Sequence, residues 1–374
     1  MGKKVLVTGG AGFIGSHLVE ALLEEGNEVV VLDNLSEQVH GKNSKGPGYL
    51  DKGAEFIKGD VRNEKDLAKA IDGAEVVFHE AAAVGVGQSM YEVNEYIDNN
   101  DLGTAKLLEH LIKKEHSVKK LLVASSMSAY GEGLYFCGKC KMEREPGLRE
   151  EKEMQKGNWE QSCPECGSEL KAVATPERKK LDINSIYALT KRNQEEIVLM
   201  LGKAYGIPAV ALRYFNVLGP RQSLSNPYTG VAAIFLSRVK NKKQPIVYED
   251  GLQSRDFVSV HDIVNANLLA MKSNAADYEP FNVGTGKPST IKELAETICS
   301  AYNFREGPIY TQKFRKGDIR HCYADISKIR KKLGFEPGFS LEKTIAELIE
   351  WSKKEKAIDK FDEANSELKK FGLV

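Results

Sequence analysis

The chain is 374 residues long and carries 53 Lys+Arg against 53 Asp+Glu, a formal net charge of +0. That balance offers no basic surface to nucleic acid or an anionic bilayer, and no apolar run approaches the ~20 residues of a membrane span. With no signal peptide ahead of the first strand, a cytoplasmic protein of one large domain or two is expected; its six cysteines then point to metal or redox chemistry rather than structural disulfides.

The first predicted strand, Val5–Val7, runs into Thr8-Gly9-Gly10-Ala11-Gly12-Phe13-Ile14-Gly15 and a helix predicted over Phe13–Glu25. Glycines at steps of three, Gly9, Gly12 and Gly15, permit a tight turn, close backbone approach to a pyrophosphate, and close packing of helix on sheet. The helix N-terminus then offers free N–H groups to phosphates. About 18 residues after Gly15 the next strand, Val29–Asp33, ends in an acid. A carboxylate there accepts from a ribose 2′-hydroxyl and repels a 2′-phosphate, which favours NAD over NADP.

Further strands are predicted at Glu55–Lys58, Val76–His79, Leu121–Ala124 and Ala209–Leu212, with helices at Glu64–Ala70, Glu95–Lys114 and Ser185–Tyr205. Such alternation makes an α/β, doubly wound parallel sheet of Rossmann type, which binds ligands at the carboxyl ends of its strands. Asp60-Val61 and Ala81-Ala82-Ala83 fall at such ends, and the small side chains let a cofactor lie close. Glu80 stands beside the alanine run; the mouth of the site and open solvent are both open to it. Ser126 ends the fifth strand segment, and Tyr187 and Lys191, four apart, share a helical face. A tyrosine of pKa ~10 becomes a useful base only when a neighbouring cation favours its phenolate.

Between residues 133 and 184 the alternation breaks. Cys137, Cys140, Cys163 and Cys166 form two C-x-x-C pairs with 22 residues between them. Four thiolates suit a closed tetrahedral structural zinc site, which would organise a segment too poor in aliphatics to build its own core; an iron site shares the spacing. The insertion begins just after Tyr130-Gly131 and ends just before Tyr187, so it is expected over or beside the pocket. Shorter elements follow: Ala232–Lys240, Ile246–Tyr248, Phe257–Met271, Phe281–Val283, Ile291–Tyr302 and a charged helical terminus. The expected division is a dinucleotide-binding domain over 1–216, interrupted by a zinc-ribbon-like insertion at 134–182, and a smaller, mainly substrate-binding lobe over 217–374.

On Thr8–Gly15, Asp33, Asp60-Val61, Asn99, Ser126, Tyr187/Lys191 and several later segments, the chain resembles the extended short-chain dehydrogenase/reductase family, and within it the nucleotide-sugar 4-epimerases. The resemblance implies NAD held by Gly9, Gly12, Phe13, Ile14, Gly15, Asp33, Asn34, Asp60, Val61, Ala81, Ala82, Asn99, Tyr187, Lys191 and Phe215. It implies catalysis by Ser126, Tyr187 and Lys191. A nucleotide-diphosphate sugar would be held by Ser126, Asn216, Arg255, Arg315 and Asp318. In that scheme Tyr187 takes the 4-hydroxyl proton, NAD takes the C4 hydride, the 4-keto sugar turns, and hydride returns to the other face. It also implies a homodimer through the stretch 95–114 and the helix after Tyr187. One departure is instructive: dehydratases of the family carry an Asp-Glu pair after the hydroxyl residue, and Met127-Ser128 stand there instead, so elimination is not expected. A second reading uses the same residues for net oxidation or reduction of a nucleotide sugar with stoichiometric NAD(H); a third, a non-catalytic NAD sensor that binds partners through the ribbon, needs no catalytic base.

Overall fold

The computed structural model describes residues 2–374. Seven strands form one sheet in the order Glu279–Val283, Ala209–Tyr214, Lys120–Ser126, Val76–His79, Lys4–Thr8, Glu28–Asp33 and Glu55–Lys58, every pair parallel. Its central strands are apolar on both faces because helices cover both sides. Val5 and Val7 pack with Leu18 and Leu22 of the first helix and Ala266 of the helix Val260–Lys272. On the other face Leu6 packs with Leu107, Leu111 and Val198. Strand order reverses between Lys4–Thr8 and Val76–His79, which opens a crevice at their carboxyl ends. Among the described residues no helix is long and apolar enough to cross a membrane.

The sequence places Phe281–Val283 in the smaller lobe, but the strand Glu279–Val283 closes the edge of the main sheet beside Ala209–Tyr214. The helix Val260–Lys272 returns with it to pack on the first helix. The second lobe is therefore built mainly from the helices Val231–Lys240, Ile291–Ala301 and Leu341–Ser352, around Phe235, Leu294 and Leu348. The single helix expected over Glu95–Lys114 is interrupted: a π-helical turn, Ile97–Leu102, precedes the α-helix Gly103–Lys113. Wide turns of this kind often mark functional positions, and this one carries Asn99 and Asn100. The fully buried Asn100 donates to the Ala83 carbonyl (3.1 Å) and to Thr190 Oγ1 (2.9 Å), and accepts from Ala83 N (2.7 Å).

The insertion is a three-stranded antiparallel sheet, with Leu134–Cys137 between Met142–Arg144 and Lys171–Val173. The apolar cluster around its cysteines is small, with Tyr135, Cys137, Cys163 and Leu170 buried. It is sewn to the second lobe by backbone bonds: Gly133 N donates to the His321 carbonyl (2.8 Å) and Thr175 N to the Tyr323 carbonyl (2.8 Å).

One buried ion pair joins these parts. Arg213, on the strand Ala209–Tyr214, bonds Glu195, on the helix Ile186–Tyr205, with Nε to Oε2 at 2.9 Å and side chains 5% and 4% exposed. Ser125 Oγ donates to the same carboxylate (2.7 Å). Arg213 Nη1 donates to the Tyr130 hydroxyl (2.7 Å), which donates to Asn282 Oδ1 (2.7 Å). Asn282 Nδ2 then donates to the Thr175 carbonyl at the end of the insertion (2.8 Å). Truncation of one partner leaves the other charge buried and uncompensated. Glu195→Ala is therefore expected to lower the unfolding free energy by about 3–5 kcal/mol, read as a drop in the urea midpoint at unchanged slope.

Candidate functional site

A cavity of about 1300 Å³ runs from the carboxyl edge of the sheet to the second lobe. Every residue that the resemblance assigns to cofactor, catalysis or substrate lines it. At the sheet end, Gly9 has φ +68°, and a Cβ there would meet Ala81 N and Cα at 2.8 Å. A Cβ on Gly15 would meet the Gly9 carbonyl oxygen at 2.4 Å, so this glycine serves the packing of helix on turn. The first helix, Phe13–Glu24, has Gly12 at its N-cap, no side-chain cap and no acid in its first turn. Its free N–H groups and dipole are thus left to a ligand anion. Phe13 and Ile14 flank this entrance.

Asp33 is held by two backbone donors, Ala11 N to Oδ2 (3.0 Å) and Leu35 N to Oδ1 (2.8 Å). Each carboxylate oxygen keeps a further lone pair for a ribose hydroxyl. Asn34 donates to Asp60 Oδ2 (3.0 Å). Burial alone would raise Asp60, but its hydrogen bonds from Arg62 and Asn34 hold it at about 2. Val61, Ala81, Ala82 and Asn99 continue the wall. The uncapped helix, the acid and the small-residue wall fit a dinucleotide with a free 2′-hydroxyl.

The chemistry-bearing groups meet beyond that wall. Ser185 caps the helix Ile186–Tyr205 by accepting from Ala188 N, which brings Tyr187 and Lys191 to the same side. Burial pushes the Tyr187 phenol up to about 12, and the neighbouring Ser126 hydroxyl pulls the other way. Ser126 Oγ accepts from Ser128 N (3.2 Å) and Ser128 Oγ (2.9 Å), so its own proton is free to be donated. Lys191 Nζ donates to the Ala124 carbonyl (2.9 Å). Burial lowers Lys191 to about 8, opposed by the Glu80 carboxylate.

Glu80 does not face open solvent. It lines the cavity and accepts from the Tyr214 hydroxyl (2.8 Å), which itself accepts from Asn267 Nδ2 (2.7 Å). Burial raises Glu80 to about 7, opposed by Tyr214 and Lys191. No sequence signal marks this, because a lone acid after a strand does not disclose which way it turns. His79 is spent structurally, between Thr8 Oγ1 and Thr104 Oγ1, both at 2.9 Å.

Toward the second lobe, Phe215 packs near the Tyr130 ring (6.3 Å between centroids). The Oδ1 of Asn216 is buried without a partner, as are the amide oxygens of Gln222 and Gln253, which also line the cavity. Arg255 donates to the carbonyls of Ser254, Arg320 and Ile319 at 2.8, 3.0 and 2.7 Å. Arg315 bonds Asp318 through Nε (3.0 Å) and lies over the Tyr248 ring at 4.7 Å. The C-terminal helix Phe361–Lys370, read from sequence only as a charged terminus, lines the same end through Phe361, Ala364, Asn365 and Leu368.

The four cysteines lie outside the cavity lining. All are free thiols, with Sγ atoms within 4.8 Å of one another. Cys137 and Cys166 are 3.5 Å apart and Cys140 and Cys163 are 3.8 Å apart, near the ~3.8 Å edge of a tetrahedron with ~2.3 Å zinc–sulfur bonds. Cys140 N donates to Cys137 Sγ (3.3 Å), as a metal knuckle does. The donor set fits zinc. Of the insertion, it is Leu148 and Glu151 that reach the cavity.

The Glu80–Lys191 pairing has a pH consequence. The carboxylate favours charged Lys191, and a cation one helical turn from Tyr187 would favour the phenolate. In Glu80→Gln, Lys191 loses its proton at lower pH, so Tyr187 must ionise unaided. The limb of the pH–rate profile that rises with Tyr187 ionisation is expected to move up by about one pH unit, with about tenfold less turnover near neutrality. An unchanged profile contradicts the pairing.

The profile of the NAD dependent epimerase/dehydratase family matches residues 5–151 and 162–284, the gap falling inside the insertion. The dTDP-L-rhamnose 4-epimerase of Burkholderia thailandensis is 34% identical over 352 residues, covering 94% of this chain and 95% of that protein. Among solved structures, the UDP-glucose 4-epimerase of Thermotoga maritima with UDP-glucose superposes with a TM-score of 0.77 at 33% identity, covering 94% and 99% of the two chains. The UDP-glucuronic acid 4-epimerase of Bacillus cereus, in complex with UDP-glucuronic acid and NAD, gives 0.76 at 27% identity over 94% and 99%. With a glycine turn, an Asp33 carboxylate and a Tyr187–Lys191 pair in one cavity and these likenesses along nearly its full length, the chain is an enzyme of the NAD dependent epimerase/dehydratase family.

Proposed function

We propose that the protein interconverts nucleotide-diphosphate sugars epimeric at C4, through a transient 4-keto sugar and with NAD as its resident cofactor. The observation that carries this reading is the meeting of Tyr187, Ser126 and Lys191 in one cavity with the glycine turn at one end and Arg255 and Arg315 at the other. Gly9–Gly15, Asp33, Asn34, Asp60, Val61, Ala81, Ala82, Asn99 and Phe215 would hold NAD. When bound it supplies reversible hydride acceptance at sugar C4. The protein's own part is proton transfer and positioning. Ser126 donates a hydrogen bond to the reacting hydroxyl, and Tyr187, favoured as phenolate by Lys191, takes its proton and later returns it. Arg255 and Arg315 grip the diphosphate while the sugar turns, and Asp318 accepts from the nucleotide ribose. Asp33 disfavours a 2′-phosphate and so NADP. Met127-Ser128 supply no carboxylate beside Ser126, which speaks for epimerisation over dehydration.

We also propose zinc at Cys137, Cys140, Cys163 and Cys166, as a structural ion for a subdomain with a small apolar cluster around its cysteines. A homodimer through the helices around 97–113 and 186–205 is supported by exposed Ile97, Leu102 and Met200. Six free cysteines fit a reducing, cytoplasmic setting. The division into a dinucleotide-binding part and a substrate lobe is proposed with the edge strand Glu279–Val283 assigned to the former.

Proton NMR of the purified protein with UDP-glucose, UDP-galactose, their N-acetyl and glucuronic forms, and dTDP-L-rhamnose tests the reading. One member should yield its C4 epimer without added reductant, and Tyr187→Phe should slow that turnover by about 10²–10⁴-fold. NADH accumulation in step with product, in place of an epimer, replaces the reading with a dehydrogenase. Elemental analysis should give one zinc per chain; its removal by a chelator is expected to unfold the insertion, since metal binding is folding free energy in such subdomains.

A further inference from the structure

Four successive carbonyls of the loop that carries Arg315 and Asp318 are each held from outside the loop. Asn184 Nδ2 donates to the Gly317 carbonyl (2.9 Å) and Arg149 Nη2 to that of Asp318 (3.1 Å). Arg255 donates to those of Ile319 (2.7 Å) and Arg320 (3.0 Å). The loop is thus a fixed template, and Arg255 takes its direction from it. Arg149 belongs to the insertion, and its neighbours Leu148 and Glu151 line the cavity. Glu151 also pairs with Lys316 of the loop (3.3 Å).

Arg149 is itself fixed by a buried charge network. Its guanidinium forks onto Glu249 at 2.9 and 2.8 Å and reaches the Trp159 carbonyl at 3.2 Å. Glu249 is shared with Arg320 (2.9 Å), and the three side chains are 3%, 2% and 1% exposed. Arg320 is held as well by Asp250 (2.7 Å) and by Glu160 of the insertion (2.6 Å). Glu132, just before the insertion, accepts from the backbone N–H groups of Arg320 (2.9 Å) and His321 (2.7 Å). Two buried guanidinium groups with four carboxylates, of which Glu132 and Glu249 are buried and Asp250 and Glu160 partly exposed, cost desolvation that hydrophobic packing would avoid. Its geometric yield is one rigid position for the loop.

We infer that the insertion is a working part of the substrate site, with Arg149 as the positioning residue that sets the loop Arg315–Arg320, and through it Arg255, for the substrate diphosphate. This rests on the nucleotide-sugar reading above. Arg149 touches neither the reacting sugar carbon nor Tyr187, so its loss weakens capture rather than chemistry. A lysine keeps the charge but cannot fork onto Glu249 while also reaching the Asp318 carbonyl.

The test uses full-length, cofactor-loaded protein, with UDP and dTDP as calorimetric probes and turnover of whichever sugar the NMR panel identifies. Arg149→Met is expected to weaken binding of the preferred diphosphate about tenfold or more. KM should rise in parallel, with kcat within about twofold and bound NAD retained, since a lost uniform-binding contact moves KM alone. Arg149→Lys should fall between methionine and wild type. Glu160→Gln, at a partly exposed carboxylate, should shift KM the same way by less, and it carries the test if Arg149→Met does not fold. Variants that keep NAD and bind both diphosphates as wild type does, or that lower kcat at constant KM, overturn the inference. Wild-type protein that binds neither UDP nor dTDP, nor GDP when that is added as a third probe, overturns the nucleotide-sugar reading, and the positioning role with it.

Discussion

The structure turns on the buried pair of Arg213 and Glu195. Arg213 sits one residue before the segment Tyr214–Asn216 that walls the cavity, and Glu195 is one helical turn beyond Lys191. The pair therefore fixes the distance between the wall and the helix that carries Tyr187. Ser125 adds the end of a third element, and Tyr130 with Asn282 extends the tie to the sheet edge and the root of the insertion. Two buried charges of this kind add little net stability over apolar packing. What they add is a single arrangement: the guanidinium fork accepts its carboxylate in one plane, and a sliding helix would leave both charges unpaired.

That rigidity matters because the groups in the cavity are tuned by short-range neighbours. Lys191 is lowered by burial and held up by Glu80, and Tyr187 is raised by burial and pulled down by Ser126. Each of these effects falls off within a few ångströms. The opposite end of the cavity is governed by the same economy. Arg255 and Arg315 are aimed by backbone carbonyls and ring faces, and the loop that supplies those carbonyls is held by side chains from three distant stretches of chain. The insertion, too small to stand on its own apolar core, is tied by backbone bonds and charge to the lobe it abuts.

Much of the site could be read from spacing. The glycine turn and Asp33 are placed by local geometry, and Tyr187 and Lys191 by a single helical turn, so their positions in the cavity follow from a few consecutive residues. Four of the first five strands were legible for the same reason, since continuous apolar runs belong to a sheet buried on both faces; the edge strand Glu55–Lys58 has only Phe56 and Ile57 to mark it. Other features depend on pairings between residues far apart in sequence. The edge strand Glu279–Val283 is apolar enough for either lobe, and only its partner Ala209–Tyr214 decides. Asn100 and Asn99 are adjacent, yet the π turn sends one into the packing and the other to the cavity wall. Glu80 gave no sign of its direction, and nothing in the sequence singles out Arg149, Glu249 or Arg320. The C-terminal helix, mostly Lys, Glu and Asp, offered no hint that Phe361, Asn365 and Leu368 would line the cavity.

The most direct test is the fate of a deuterium placed at C4 of the turned-over nucleotide sugar, followed by NMR in ordinary water with no cofactor added. Hydride that leaves and returns within one closed cavity should keep the label at C4 in both epimers, without dilution by solvent protons. Loss of deuterium to water at the rate of epimerisation would mean that C4 is deprotonated rather than oxidised, and would contradict the account at its centre.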